Sequence, residues 1–430
     1  MINSSRTALV GGVALLLLSA CGGGPATPDA SEAKSFTYWS MWEENEPQAQ
    51  VLKSALDSFG KESGVQVKVE WQGRKVQQKL TPALRGGDVP DLVDQDGNKT
   101  WAPLAAAGQT RDLSGVYAAQ VPGEGRTVAE VGPGKYQELV TGADGKPYMV
   151  PYEVIAFGLF YNGAAHPDIA AKPPVTWEEF TATLDRLKAG GHGPLAVDGD
   201  IGDYDAMWLV DLITRELGDG SFLKAASDKS AAAWDDPKVL SALGRAEKLA
   251  KGGYFVDGSF GSKFPAVQEK WAAGKADFLL MGTWAPSETQ KSAGPAFAYR
   301  SFPFPSVGGA QSVRTSLIGF GIPKRAAHPE LAEKFIAYFM KKDVLSGISA
   351  KALNITPRPD IAAPEPVADL AKALSTMPTA PWFDGADGLP NYSVEVFSPV
   401  ATKLLSGKVA AADAVKELKD LQVKYWAKQG

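Results

Sequence analysis

Cysteine is almost absent from this 430-residue chain, with Cys21 the only one. A single thiol excludes a disulfide framework within the chain, so the core must hold the fold. Histidine is nearly as scarce. His166, His192 and His328 each sit beside proline or glycine in a turn-like context. With no His-x-x-x-His and no cysteine partner, zinc sites and a Ser-His-Asp triad lack the spacing they need. Basic excess is missing too: 44 Lys and Arg face 49 Asp and Glu, for a net charge of −5. Nucleic acid calls for a basic face, so it is excluded as a partner. Asp94-Gln95-Asp96-Gly97 begins like a calcium loop, but Ala105 stands where an EF-hand requires an acid. No metal or cofactor is implied. Past residue 20 no apolar run is long enough to cross a bilayer, which takes about 20 residues. Internal repeats and heptads are lacking as well.

What is present begins at the N-terminus. Arg6 supplies a positive flank, residues 8–18 an apolar run, and Ser19-Ala20 the small residues a signal peptidase requires. Cys21 directly after them resembles the lipobox of bacterial lipoproteins. That resemblance implies a signal peptide over residues 1–20 and a lipid on Cys21. It places the protein outside the cytoplasm, on the outer face of the bacterial cell membrane, with the lipid as its sole anchor. An ordinary secretory signal with an incidental cysteine is the alternative. Residues 21–34 are rich in Gly, Pro, Ala and Thr and read as a flexible tether.

The remaining chain, about 395 residues, is long enough to divide into two domains. Phe36 and Tyr38 open a strand, and Val51, Leu52, Ala55, Leu56 and Phe59 form the apolar face of a helix that Gly64 ends. Val65, Val67, Val69 and Trp71 alternate as a strand. Thr176 through Glu179 spells a capping box ahead of Phe180, Leu184 and Leu187. A helix after His328 carries Leu331, Phe335, Tyr338 and Phe339, and a last one carries Val415, Leu418, Gln422 and Tyr425. Strand and helix patterns alternate, which predicts an α/β protein. Trp71, Trp177, Trp271 and Trp426 sit within these patterns and are expected to pack internally.

The order of several blocks then resembles a known family. Gly86-Gly87-Asp88-Val89-Pro90-Asp91, Asp144-Gly145-Lys146-Pro147-Tyr148, Pro173-Pro174-Val175-Thr176-Trp177-Glu178-Glu179-Phe180, Trp271 to Asp277 ahead of Gly282-Thr283-Trp284, and Phe302-Pro303-Phe304-Pro305 resemble blocks of the extracellular solute-binding proteins of ABC importers. The match is to the carbohydrate-binding, maltose-binding-protein-like branch. The resemblance implies a periplasmic-binding-protein-like fold with two lobes, a ligand cleft between them and three hinge crossings. These fall near residues 150–153, 302–305 and 342–344. Lobe one is then 35–150 plus 303–343, and lobe two 151–302 plus 344–430. It further implies a monomer without catalytic activity, handing a di- or oligosaccharide to membrane permease subunits.

A sugar presents an apolar face and a rim of hydroxyls, so its cleft needs flat rings and planar polar groups. Trp284, just past Phe278-Leu279-Leu280, corresponds to a position where the family stacks a tryptophan on sugar. Trp42 and Glu43 follow the first strand, although acids there also suit a helix N-terminus. Gln72 and Arg74 follow the strand ending at Trp71, with a surface role the alternative. Asp94 and Asp96 could grip hydroxyl pairs, and Tyr152 and Glu153 lie at a crossing. Asp205 and Trp208 belong to a stretch that similar proteins use to line the second lobe, though Trp208 also fits a core position. Trp382 follows Pro381 in an aromatic loop. Polyamine binding is the closer rival, since carboxylates and rings suit cations as well. A glycoside hydrolase would need paired carboxylates, for which Glu153 with Asp94 or Asp205 could be invoked.

Overall fold

The computed structural model describes residues 34–308 and 311–429. Cys21, the signal segment over residues 1–20 and the tether up to residue 33 lie outside the described residues. Lys34–Gly430 forms one contact-rich unit.

Among the described residues nine strands build the frame: β1 (Ser35–Ser40), β2 (Gln66–Trp71), β3 (Leu92–Asp96), β4 (Val150–Asn162), β5 (Leu195–Ala196), β6 (Phe278–Gly282), β7 (Tyr299–Phe302), β8 (Val313–Gly321) and β9 (Thr379–Pro381). They follow the order β2-β1-β3-β8-β4-β6-β5, with β7 on β4 and β9 on β8. β1 runs parallel to β2 and β3, so the carboxyl ends of all three open on one edge. β8 lies antiparallel to β3 and to the first half of β4. The second half of β4 pairs with β6 and β7 instead. Thirteen residues long and nearly all buried, β4 is therefore common to two groups of strands. Its almost unbroken apolar sequence follows from being covered on both faces.

The helices behave as their patterns predict. Val51, Leu52, Ala55, Leu56 and Phe59 are buried on Pro47–Ser63, and Gly64 ends that helix with a φ of 74°, a conformation in which glycine carries no Cβ penalty. Thr176 accepts from the Glu179 amide at 3.2 Å while the Glu179 carboxylate accepts from the Thr176 amide, completing the capping box. Phe335 on Pro329–Phe339 meets Phe36, Tyr38, Phe59 and Phe320, filling the core behind β1 and β8. Trp177, Trp208 and Phe180 fill another core with Phe278, Phe302 and Phe304.

β4 belongs to both groups of strands, whereas β8 pairs with β3, β9 and the first half of β4. The third expected passage, 342–344, opens the helix Lys342–Ala350, where Gly347 lies against Val51 of Pro47–Ser63. The chain then meets β4 at the bridge between Ile355 and Val154. Just beyond, the buried guanidinium of Arg358 donates to the Met340 carbonyl and pairs with Glu124 and Asp360.

Candidate functional site

The loops leaving β1, β2 and β3 meet the start of β4 in one buried network. Asp94, fully buried, accepts from Ser40 Oγ at 3.2 Å, the Met41 amide at 2.8 Å and the Tyr152 hydroxyl at 2.6 Å. The Tyr152 hydroxyl in turn accepts from Trp42 Nε1 at 2.7 Å. Tyr152 reaches this point because β4 is bulged between Pro151 and Glu153, an irregularity that re-aims a side chain. Arg74 covers the Trp42 ring at 4.8 Å, donates to the Met41 carbonyl and pairs with Glu46 at 2.6 Å. Glu43 is exposed and folds over Gly73, where a Cβ would fall 2.1 Å from its carboxylate.

Next to this network, Glu153 Oε1 accepts from Gln48 and Asn354, joining the Pro47–Ser63 helix to the segment that bridges β4. Burial raises the Asp94 carboxyl to about 6, its hydrogen-bond donors holding it from going higher. Burial likewise lifts Glu153 to about 7.

A second constellation lies across a cavity of about 390 Å³. Phe157, on β4, carries Trp284 edge-on at 5.4 Å and Trp382 stacked at 4.9 Å and 19°. Trp284 and Trp382 are half-buried. The Trp284 ring lies back over Gly282, where a Cβ would come within 2.2 Å of it. Trp382, Asp387, Lys99 and Asp203 line the cavity. Asp96 borders this group: its carboxylate caps the turn at the Lys99 amide (2.8 Å), accepts from Ser316 and acts on Asp387 electrostatically. Lys99 reaches Asp203 at 3.9 Å, so the loop after β3 faces the start of the helix Gly202–Leu217.

The loop carrying Trp382 and Asp387 is held under constraint. Phe383, Asp384 and Gly385 all have positive φ, at 51°, 56° and 88°. The Asp384 carboxylate accepts from the amides of Gly220 and Phe222 and pairs with Arg314 at 3.1 Å. Arg314, 3 % exposed, also pairs with Asp219 at 2.7 Å and Asp211 at 3.4 Å. This buried ionic knot compensates a strained turn.

The residues proposed from sequence thus separate. Trp42, Asp94 and Tyr152 are joined and buried, with Arg74 over Trp42 and Glu153 alongside. Trp382 lines the cavity, Trp284 meets it through their shared contact with Phe157, and Asp96 acts on the lining residue Asp387. Gln72 turns to the sheet edge, bonded to Glu70 and Lys79. Asp205 bonds Thr402, burial lifting it to about 7, and Trp208 packs among Phe180, Phe255 and Phe304. Lys99, Phe157 and Asp387 escaped the sequence reading. Phe157 looked like any residue of a buried strand, and Asp387 depends on a left-handed turn that no local pattern announces. His166 and His192 both meet Asp277. Among the described residues no group of three acidic, histidine or cysteine side chains is arranged to hold a metal ion.

Comparison with known proteins places this geometry. Diacetylchitobiose binding protein NgcE of Streptomyces coelicolor is 26% identical over 255 residues, covering 56% of this chain and 52% of that protein. The alignment thus spans about half the relative's length. Multiple sugar-binding protein of Streptococcus mutans is 23% identical over 340 residues, 76% of each chain. A solved chitin oligosaccharide binding protein shares the fold, with a TM-score of 0.73 at 21% identity, covering 92% of this chain and all of the other. The α/β architecture is therefore that of periplasmic solute-binding proteins. With residues 42–344 matching the sequence profile of bacterial extracellular solute-binding proteins, the chain belongs to that family.

Proposed function

We propose that this protein is the substrate-binding subunit of an ABC importer and captures a di- or oligosaccharide between two lobes. One lobe is built on β1, β2 and β3, the other on β5, β6 and β7. β4, the passage near residues 302–305 between β7 and β8, and the passage at 342–344 act as the hinge. Ligands of open α/β sheets lie at the carboxyl ends of strands. The loops after β1, β3 and β6 supply Trp42, Asp96 and Trp284 at those ends. Closure is favoured because only the closed form touches the ligand from both sides.

The observation that carries this reading is the aromatic group Trp284–Phe157–Trp382, whose Trp382 lines the cavity together with Asp387. Flat rings take the apolar face of a pyranose, and carboxylates accept its hydroxyl hydrogens. The relatives are named for sugars, which supports the same ligand class here. The ligand leaves chemically unchanged, passed to the permease by a monomeric receptor anchored through lipid on Cys21. A thermal-shift screen of the full chain in mild detergent against mono-, di- and oligosaccharides and spermidine tests the proposal. A saccharide that raises the melting temperature and is recovered intact supports it. Conversion of the saccharide would move the function to hydrolysis, and a rise with spermidine alone to polyamine uptake.

A further inference from the structure

Taking the sugar cleft as proposed, one part of it carries more charge than a neutral sugar explains. Both oxygens of Asp387 are shut off from solvent and find no hydrogen-bond partner beyond their own residue. An uncompensated buried carboxylate is costly, and proteins ordinarily supply it with donors or a cation. Asp384, three residues earlier, shows the ordinary arrangement, with two backbone amides and Arg314. The groups that act on Asp387 are the carboxylates of Asp96 and Asp203, the ammonium of Lys99 and the hydroxyl of Tyr148. Lys99 is already placed against Asp203. Three carboxylates therefore answer to one cation, at the wall of a cavity large enough for a ligand.

We infer that Asp387 is the counter-ion of a ligand ammonium group, and that the captured saccharide is an amino sugar with a free amine. The aromatic environment fits the ring that would carry this group. Trp382 is itself stacked on Phe157, and its Nε1 is a buried donor without a partner. Donor and acceptor thus stand in the same loop. A bare metal cation is not favoured, since the surrounding acids are not arranged as a metal cage. Burial together with the charge of Asp96 drives the Asp387 carboxyl strongly upward. An ammonium beside it favours the charged form, so any proton on the carboxyl passes to solvent and a charge-assisted hydrogen bond remains.

The test is calorimetric titration of the full chain, in mild detergent at pH 7, with three probes. These are the disaccharide of β-1,4-linked glucosamine, its di-N-acetylated counterpart and spermidine. The glucosamine disaccharide is expected to bind at least about 10-fold more tightly than the acetylated one, the usual scale for a charged hydrogen bond. Its apparent enthalpy is expected to change between buffers of different ionisation heat, reporting release of a proton. Asp387→Asn is expected to narrow the ratio between the two sugars. Equal or tighter binding of the acetylated sugar would overturn the ammonium assignment and leave the sugar reading standing. Binding of spermidine with neither sugar would overturn both.

Discussion

Residues with the same chemistry behave differently in this protein because of what surrounds them. Glu153 and Asp205 are buried carboxyls raised to about 7 by desolvation, whereas Asp360 on the surface is drawn down to about 2 by Arg358. A carboxyl raised in the folded state binds its proton more tightly there than when unfolded. Its contribution to stability is complete below the ordinary carboxyl range and fades as pH rises through about 7. Glu153→Gln keeps an acceptor for Gln48 and Asn354 and removes the titration. Relative to the unmodified protein, it should gain on the order of 2 kcal/mol of stability between pH 5 and pH 8. Urea unfolding at the two pH values measures this, and parallel stabilities for the two proteins would refute it. On the ligand side, Trp284→Ala should weaken saccharide binding by about 10- to 100-fold, the usual cost of losing a packed aromatic. A folded variant with unchanged affinity would remove Trp284 from the site.

At the scale of the element, the Arg314 knot decides whether the loop of Trp382 and Asp387 faces the cavity. Arg314→Met would leave the buried Asp211 and Asp384 against a neutral side chain, with Asp219 at the exposed rim. Removing one partner from a buried ionic group costs about 3–5 kcal/mol, so the denaturation midpoint should drop sharply. A near-normal midpoint would mean that the loop holds itself in place. Elements of this kind also mark where sequence reading ended. β1, the Pro47–Ser63 helix and the capping box at Thr176 follow from spacing alone, because period and caps are local properties. Trp382 could be singled out as a ring in a loop, but its stacking on Phe157 required β4 and β9 to be placed first. Trp42, Asp94 and Tyr152 were legible as strand-end residues. Their closing into a buried network was not, since it arises from a bulge in β4.

For the whole molecule, the proposed function couples a saccharide receptor to the membrane through Cys21. Cys21→Ala should shift the protein from the membrane fraction to the soluble one. Retention on washed membranes would exclude a lipid as its only anchor. With the hinge proposed above, the ligand fixes the two lobes, so affinity and compactness should rise together. The most direct measurement is titration of the full chain with a panel of di- and oligosaccharides, repeated with Trp382→Ala. Saturable binding of one saccharide class, weakened about 10-fold or more in the folded variant, is expected. Saccharide binding of equal strength in both proteins, or none in either, would contradict it.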